Sequence, residues 1–65
     1  MKKGDLVALS AYGKKIAKYY PLREKMGTVL LTRNAKHFDI KVLWLHRGFT
    51  TYMSRKDLKI IARAG

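Results

Sequence analysis

Between Gly13 and Tyr20 the chain reads Gly-Lys-Lys-Ile-Ala-Lys-Tyr-Tyr, three ammonium groups and two phenol rings in one short stretch. Lysine carries a long-reach point charge suited to phosphate, and a tyrosine face can stack on a base or a sugar. Lys14, Lys15, Lys18, Tyr19 and Tyr20 therefore form the first candidate binding group. The plainer alternative is that the tyrosines pack this stretch against the fold and the lysines are merely solvated. A second group, Arg33, Lys36, Lys41, Arg47 and Arg55, is spread over turns and one strand face. Cations on successive hairpins can align along one rim and track a phosphate backbone. Trp44, Phe49 and Tyr52 flank the Arg47-Gly48 turn, where antiparallel pairing brings side chains together across a hairpin. Tyr52 is the stacking candidate of this set; aromatic residues at period two in a central strand are otherwise core residues.

Other chemistries find little material. His37, Asp39 and His46 are three potential zinc ligands of mixed type, but they lack the spacing of a zinc site and read as surface turn residues. The carboxylates are Asp5, Glu24, Asp39 and Asp57. Asp57 suits the turn that begins at Ser54, and Asp5 the start of the first strand. No nucleophile, base and orienting residue stand in a recognisable arrangement, so no enzyme is expected. Gly4, Gly13, Gly27, Gly48 and Gly65 are scattered, so no glycine-rich phosphate loop exists. No cofactor and no metal are called for.

The charge balance says what kind of partner to expect. Fifteen Lys or Arg stand against four Asp or Glu in 65 residues, a formal net charge of +11 and a pI near 10.4. A small domain needs a net charge of only about 2–8 for solubility, and a larger one opposes the compact state by self-repulsion. A polyanion relieves that repulsion, and nucleic acid, DNA or RNA, is the commonest. The other partners considered are an acidic protein surface, a second copy of the chain and, least of all, an anionic membrane. With no long amphipathic helix and no run of about 20 apolar residues, a membrane role is not expected. Met1-Lys2-Lys3 resembles the start of a signal peptide, yet Gly4-Asp5 follows and the apolar run Leu6 to Leu9 is too short. A cytoplasmic protein is expected. There is no Cys and hence no disulfide framework.

These groups must be held by a fold that is almost entirely β. Leu6 to Leu9 is a short strand with Val7 and Leu9 on one face. Ala11 to Lys25 lacks a period-two pattern and reads as a long basic loop with one helical turn, in which Ile16 and Tyr20 share a face and which Pro21 ends. Thr28 to Thr32 is the second strand, and Arg33 to Lys36 a polar turn. Phe38 to Leu45 is the third strand, with Ile40, Val42 and Trp44 on one face and Lys41, Leu43 and Leu45 on the other. His46-Arg47-Gly48 turns into Phe49 to Met53. Ser54 caps a short turn through Asp57, Leu58 to Ile61 is the last strand, and Ala62 to Gly65 fray. Strands that short, in one domain spanning residues 1–65 with its core at 4–61, are expected to close into a small barrel, which leaves no exposed edge.

The ordered steps Gly4-Asp5-Leu6-Val7, Gly27-Thr28-Val29, Val42-x-Trp44 with the Gly48 hairpin, and Leu58-x-x-Ile61 resemble the SH3-like small β-barrel group. Its relatives include KOW and Tudor-like modules and small barrel proteins of bacteriophage genomes. The resemblance implies a five-stranded barrel with a long loop after the first strand and a short 3-10 turn before the last. It also implies binding through that loop and through aromatic residues on the barrel flank, with RNA or RNA polymerase as partners of the KOW members. Members that bind proline-rich peptides carry an acidic long loop; here the loop is basic, which points away from such a ligand. The expectation is a nucleic-acid-binding module with little base-specific readout. The alternative is a protein-interaction or structural module, such as a phage accessory or virion protein, or an inhibitor docking on an acidic face of a host protein.

Overall fold

Successive side chains of a strand point to opposite faces, and the apolar ones on the inner face build the core. In the computed structural model, which describes residues 1–34 and 36–64, five strands form one antiparallel sheet in the order β4-β3-β2-β1-β5. They are β1 (Leu6–Leu9), β2 (Met26–Thr32), β3 (Ile40–Trp44), β4 (Phe49–Met53) and β5 (Leu58–Ala62). Ile40, Val42 and Trp44 face inward as the period-two pattern requires, and so do Val7, Leu9 and Val29. Gly27 lies opposite Trp44 in the β2–β3 register, and a Cβ there would stand 2.5 Å from Val42 Cγ1 and 2.8 Å from the Leu43 carbonyl oxygen. Glycine is what lets the strand pass over the indole at that point.

Irregularities in register fall between Leu6 and Val7 on β1 and between Val29 and Leu31 on β2. Bulges of this kind sharpen the bend and twist of a sheet. The sheet nonetheless stays open, with β4 and β5 as its two edges rather than a closing ladder between them. The expected barrel is thus realised as a bent five-stranded sheet.

The connection between β1 and β2 is more ordered than a basic loop with one turn. It forms α1 (Ala11–Lys14) and then a 3-10 helix (Ala17–Leu22). Ser10 caps α1 by accepting from the Gly13 N–H at 3.0 Å. Pro21 lies inside the 3-10 helix instead of ending it. Its fixed φ near −65° suits 3-10 geometry, and a helix one or two turns long has little need of the missing N–H. A second 3-10 helix, Arg55–Asp57, precedes β5, and its Asp57 Oδ2 accepts the Ser54 N–H at 3.3 Å.

The core gathers Val7, Leu9, Val29, Ile40, Val42, Trp44, Met53 and Leu58 from the sheet, with Tyr19 and Leu22 from the 3-10 helix laid over it. Trp44 is wholly buried, and its indole N–H donates to Thr51 Oγ1 at 2.8 Å, so the ring brings no orphan donor into the interior. Asp5 is buried as well. Its Oδ2 accepts the Lys2 N–H at 3.0 Å and its Oδ1 the Ala64 N–H at 2.8 Å, which fastens the two ends of the chain together. The expected fraying from Ala62 onward is therefore limited at Ala64; Gly65, like Ala35 in the β2–β3 turn, lies outside the described residues.

A candidate nucleic-acid interface

All four carboxylates are accounted for by the fold. Asp5 and Asp57 are buried. Glu24 pairs with Lys14 at 3.3 Å and Asp39 with Arg55 at 3.4 Å. Among the described residues, Lys14 and Arg55 alone of the fifteen Lys and Arg have a carboxylate partner. The charge on the outer surface is consequently mostly cationic.

Part of that charge is gathered around a cleft. The end of α1, the first 3-10 helix, the β2–β3 loop and the second 3-10 helix meet there. Ser10 ties them together: its N–H donates to the Asp57 carbonyl at 2.9 Å and its hydroxyl to the Lys56 carbonyl at 2.6 Å. Gly13 lies so close to the Asp57 carbonyl that a Cβ would collide with that backbone. The resulting cleft, about 300 Å³, is walled by the rings of Tyr12, Tyr19 and Phe38 and rimmed by Lys18, His37 and Lys56. Lys18 Nζ sits 5.1 Å from the centre of the Tyr19 ring and 5.3 Å from that of Phe38; Lys56 Nζ is 5.2 Å from that of Tyr12. A second cleft of about 320 Å³ adjoins it, sharing His37, Ser54 and Lys56 and adding Lys36, Asp39 and Arg55. Together they make a groove with aromatic walls at one end and cations along its length, the combination single-stranded nucleic acid binders use.

Of the candidate residues, the structure brings Lys18, Lys36 and Arg55 to this groove. Tyr19 reaches it as a wall only. At 7% exposure it is a core residue, which corrects the expectation that its face is free to stack. Lys14 is drawn aside by Glu24, and Lys15 stands exposed at the end of α1. Tyr20 is 69% exposed but on its own ground, with the Arg23 guanidinium 5.5 Å from its ring centre.

The second group does not form the single rim expected of it. Lys36 and Arg55 share the groove, whereas Arg33 and Lys41 flank Tyr52, at 4.4 and 5.6 Å from its ring centre. Tyr52 pairs with Lys41 across β3 and β4, on the sheet face away from the core. Arg47 lies in the β3–β4 turn, at the other end of β3 from the groove. Trp44 is buried and offers no stacking face, while Phe49 is exposed and meets His46 edge-on at 5.8 Å. His46 is likewise parted from His37 and Asp39 by the length of β3, and among the described residues no three His, Cys, Asp or Glu cluster as a metal site would require.

Tyr12, Phe38, Lys56 and Asp57, which also line the groove, are among the residues that escape the sequence reading as binding residues. Tyr12 precedes the basic stretch by one position, a signal within reach. Phe38 was expected to open the third strand. The strand instead begins at Ile40, and Phe38 stands in the loop with φ +54°, a conformation rare for an aromatic residue. Its N–H donates to Ser54 Oγ at 3.3 Å and its carbonyl accepts from Arg33 Nε at 3.1 Å, contacts that hold the backbone there.

No family model, no curated protein and no solved structure matches the chain. No helix among the described residues is long and apolar enough to cross a membrane.

Proposed function

We propose that this protein is a nucleic-acid-binding module that contacts mainly phosphates and stacks bases on aromatic side chains, with little sequence specificity overall. The observation that carries the reading is the groove, where Lys18, Lys36 and Lys56, which pair with no carboxylate among the described residues, stand beside aromatic rings. Lys18, Lys36 and Lys56 supply phosphate contacts along it, with Arg55 shared between Asp39 and the ligand. Lys15, Arg47 and the Arg33–Tyr52–Lys41 patch add long-range attraction from outside the groove. The reading is of a binding protein rather than an enzyme, working in the cytoplasm. The long insertion after β1 and the 3-10 turn before β5 support an SH3-like assignment for the bent sheet.

Fluorescence anisotropy of labelled single-stranded and duplex DNA and RNA, titrated from about 50 to 300 mM salt, tests this. Each phosphate neutralised contributes a slope of about −0.7 to −0.9 in log affinity against log salt. With three or four groove cations engaged, the slope should be about −2 to −4. The triple change Lys18/Lys36/Lys56→Ala should flatten it by about 2 units, while the same triple change at Lys2, Lys3 and Lys59 should leave it nearly intact. Binding that disappears by about 150 mM for every oligonucleotide would leave only generic charge attraction and remove the proposal.

A second reading has its own support. Met26, Leu45 and Ile61 are exposed on the outer face of the sheet beside Lys25 and Lys59. An apolar face with a cationic margin suits an acidic protein surface. A stoichiometric complex that survives the groove substitutions but not Leu45→Asp would favour it over nucleic acid.

A further inference from the structure

Arg33 is an exposed cation held in one place. Its backbone N–H donates to the Asp39 carbonyl at 2.8 Å and its Nε to the Phe38 carbonyl at 3.1 Å. Its guanidinium carbon lies 4.4 Å from the centre of the Tyr52 ring. No carboxylate accounts for this arrangement. Asp39 turns one carboxylate oxygen to the Arg55 N–H at 3.3 Å and the other to the Arg55 guanidinium at 3.4 Å. Among the described residues the Arg33 side chain bonds through Nε alone, which leaves both Nη groups without a partner. The Lys41 ammonium stands 5.6 Å from the centre of the same Tyr52 ring and likewise has no carboxylate partner among the described residues. Two like charges are thus gathered at one ring and one long side chain is immobilised, which costs Coulomb energy and rotamer entropy.

A phosphate offsets both costs. The guanidinium presents paired N–H donors in a rigid fork that matches two phosphate oxygens. With Nε engaged by Phe38, the fork that remains is the end-on pair of Nη groups. An arginine already held in place gives up little further freedom when it binds. Its location adds to the argument. Phe38 walls the aromatic cleft, whereas Tyr52 stands on the outer face of β3 and β4, and Arg33 touches both.

Resting on the nucleic-acid reading above, we propose that Arg33 clamps one phosphodiester of a single strand where the strand leaves the groove over the β2–β3 loop. Two oxygens of that phosphate accept from the two Nη groups. Tyr52 is a positioning residue that backs the guanidinium, and Lys41 adds charge beside it. The track of the strand extends past the groove onto the outer face of the sheet, so Arg33 does more than attract from a distance. A phosphate contact carries no base identity, in keeping with low sequence specificity.

The test titrates a labelled oligo(dT) of about 10 nucleotides, within the range that one small barrel covers, at several salt concentrations. Arg33→Lys keeps the charge but loses the fork. It should weaken binding by about 5- to 20-fold and leave the salt slope unchanged, whereas long-range attraction alone predicts no change in either. Arg33→Ala removes the charge too and should flatten the slope by about 0.7. Tyr52→Leu should weaken binding by about 2- to 5-fold, and Tyr52→Phe, which keeps the ring, should restore it. Nitrogen NMR of the guanidinium groups reads the contact directly: the Arg33 Nη signals should shift on adding oligo(dT), as the phosphate stops rotation of the fork. That readout separates a clamp from an indirect effect through the Phe38 loop. Melting curves check that each variant is folded, and neither Arg33 nor Tyr52 belongs to the core. Wild-type affinity in Arg33→Lys, or Arg33 Nη signals that oligo(dT) leaves unmoved, overturns the inference. Wild-type affinity in Tyr52→Leu removes the positioning role. In either case a steep salt slope that Lys18/Lys36/Lys56→Ala flattens keeps the broader proposal. Failure of every oligonucleotide to bind overturns both.

Discussion

Asp5 illustrates how one side chain can be committed to structure in a chain otherwise short of acids. The Ala64 and Lys2 backbone N–H groups that it accepts hold its carboxyl below the ordinary Asp value of 3.8. A carboxylate whose pKa is lower folded than unfolded adds stability at all pH values above the unfolded pKa. That stability is lost as pH falls from there through the folded value. Urea midpoints measured across a pH series should therefore drop from about pH 4 downward in the wild type. Asp5→Asn should be less stable near neutrality and show a smaller acid-dependent drop; an identical pH profile in the two proteins would refute the assignment. Trp44 and Tyr19 carry the same lesson for aromatic residues. Tyr19 was a candidate for stacking and Trp44 was placed on the strand's inward face by its period-two position; both are core, because a chain this small has few large side chains with which to fill an interior.

The decisive contact between elements is that of α1 with the second 3-10 helix, since it sets the width of the groove. Helix propensity and packing make opposite predictions for Gly13→Ala. Alanine is the better helix former by about 1 kcal/mol. Against that, its Cβ would strike the Asp57 carbonyl, a backbone atom fixed by its bond to the Ser10 N–H. A clash with backbone forces the elements apart, at about 1–3 kcal/mol. Packing should win, since α1 is only four residues long and owes its place to tertiary contacts rather than to propensity. Chemical denaturation should show Gly13→Ala with a lower midpoint than wild type; a raised midpoint would mean that α1 is free to shift. The open sheet is likewise an outcome between elements. The strand segments are marked along the chain by their apolar pattern, whereas closure depends on whether the two bulges bend the sheet far enough for β4 to meet β5.

Over the whole molecule, a net charge of +11 on a chain of this size sets folding and binding against each other. Self-repulsion weakens as the Debye length shrinks from about 30 Å at 0.01 M salt to about 8 Å at 0.15 M. The melting temperature should accordingly rise over that range, while affinity for nucleic acid falls. Calorimetric or circular-dichroism melts check the first half; a melting temperature that is flat or falling with salt would mean that the charges are too dispersed to repel. A polyanion should raise the melting temperature more than the equivalent simple salt, by binding the folded state preferentially.

The amino-acid sequence alone determined the number of strands and their succession along the chain, the inward faces of β1 and β3, the turn at Ser54–Asp57 and the cationic character of the surface. Each follows from local periodicity, capping chemistry or composition, which are properties of neighbours along the chain. The groove was decided only by the tertiary structure. Tyr12, Phe38 and Asp57 are far apart in sequence and meet because Gly13 and Ser10 dock α1 on the second 3-10 helix. That same packing buried Tyr19, drew Lys14 to Glu24, and left Arg33 and Arg47 on other faces. Which charges stand together depends on contacts between distant elements, and no spacing along the chain encodes them.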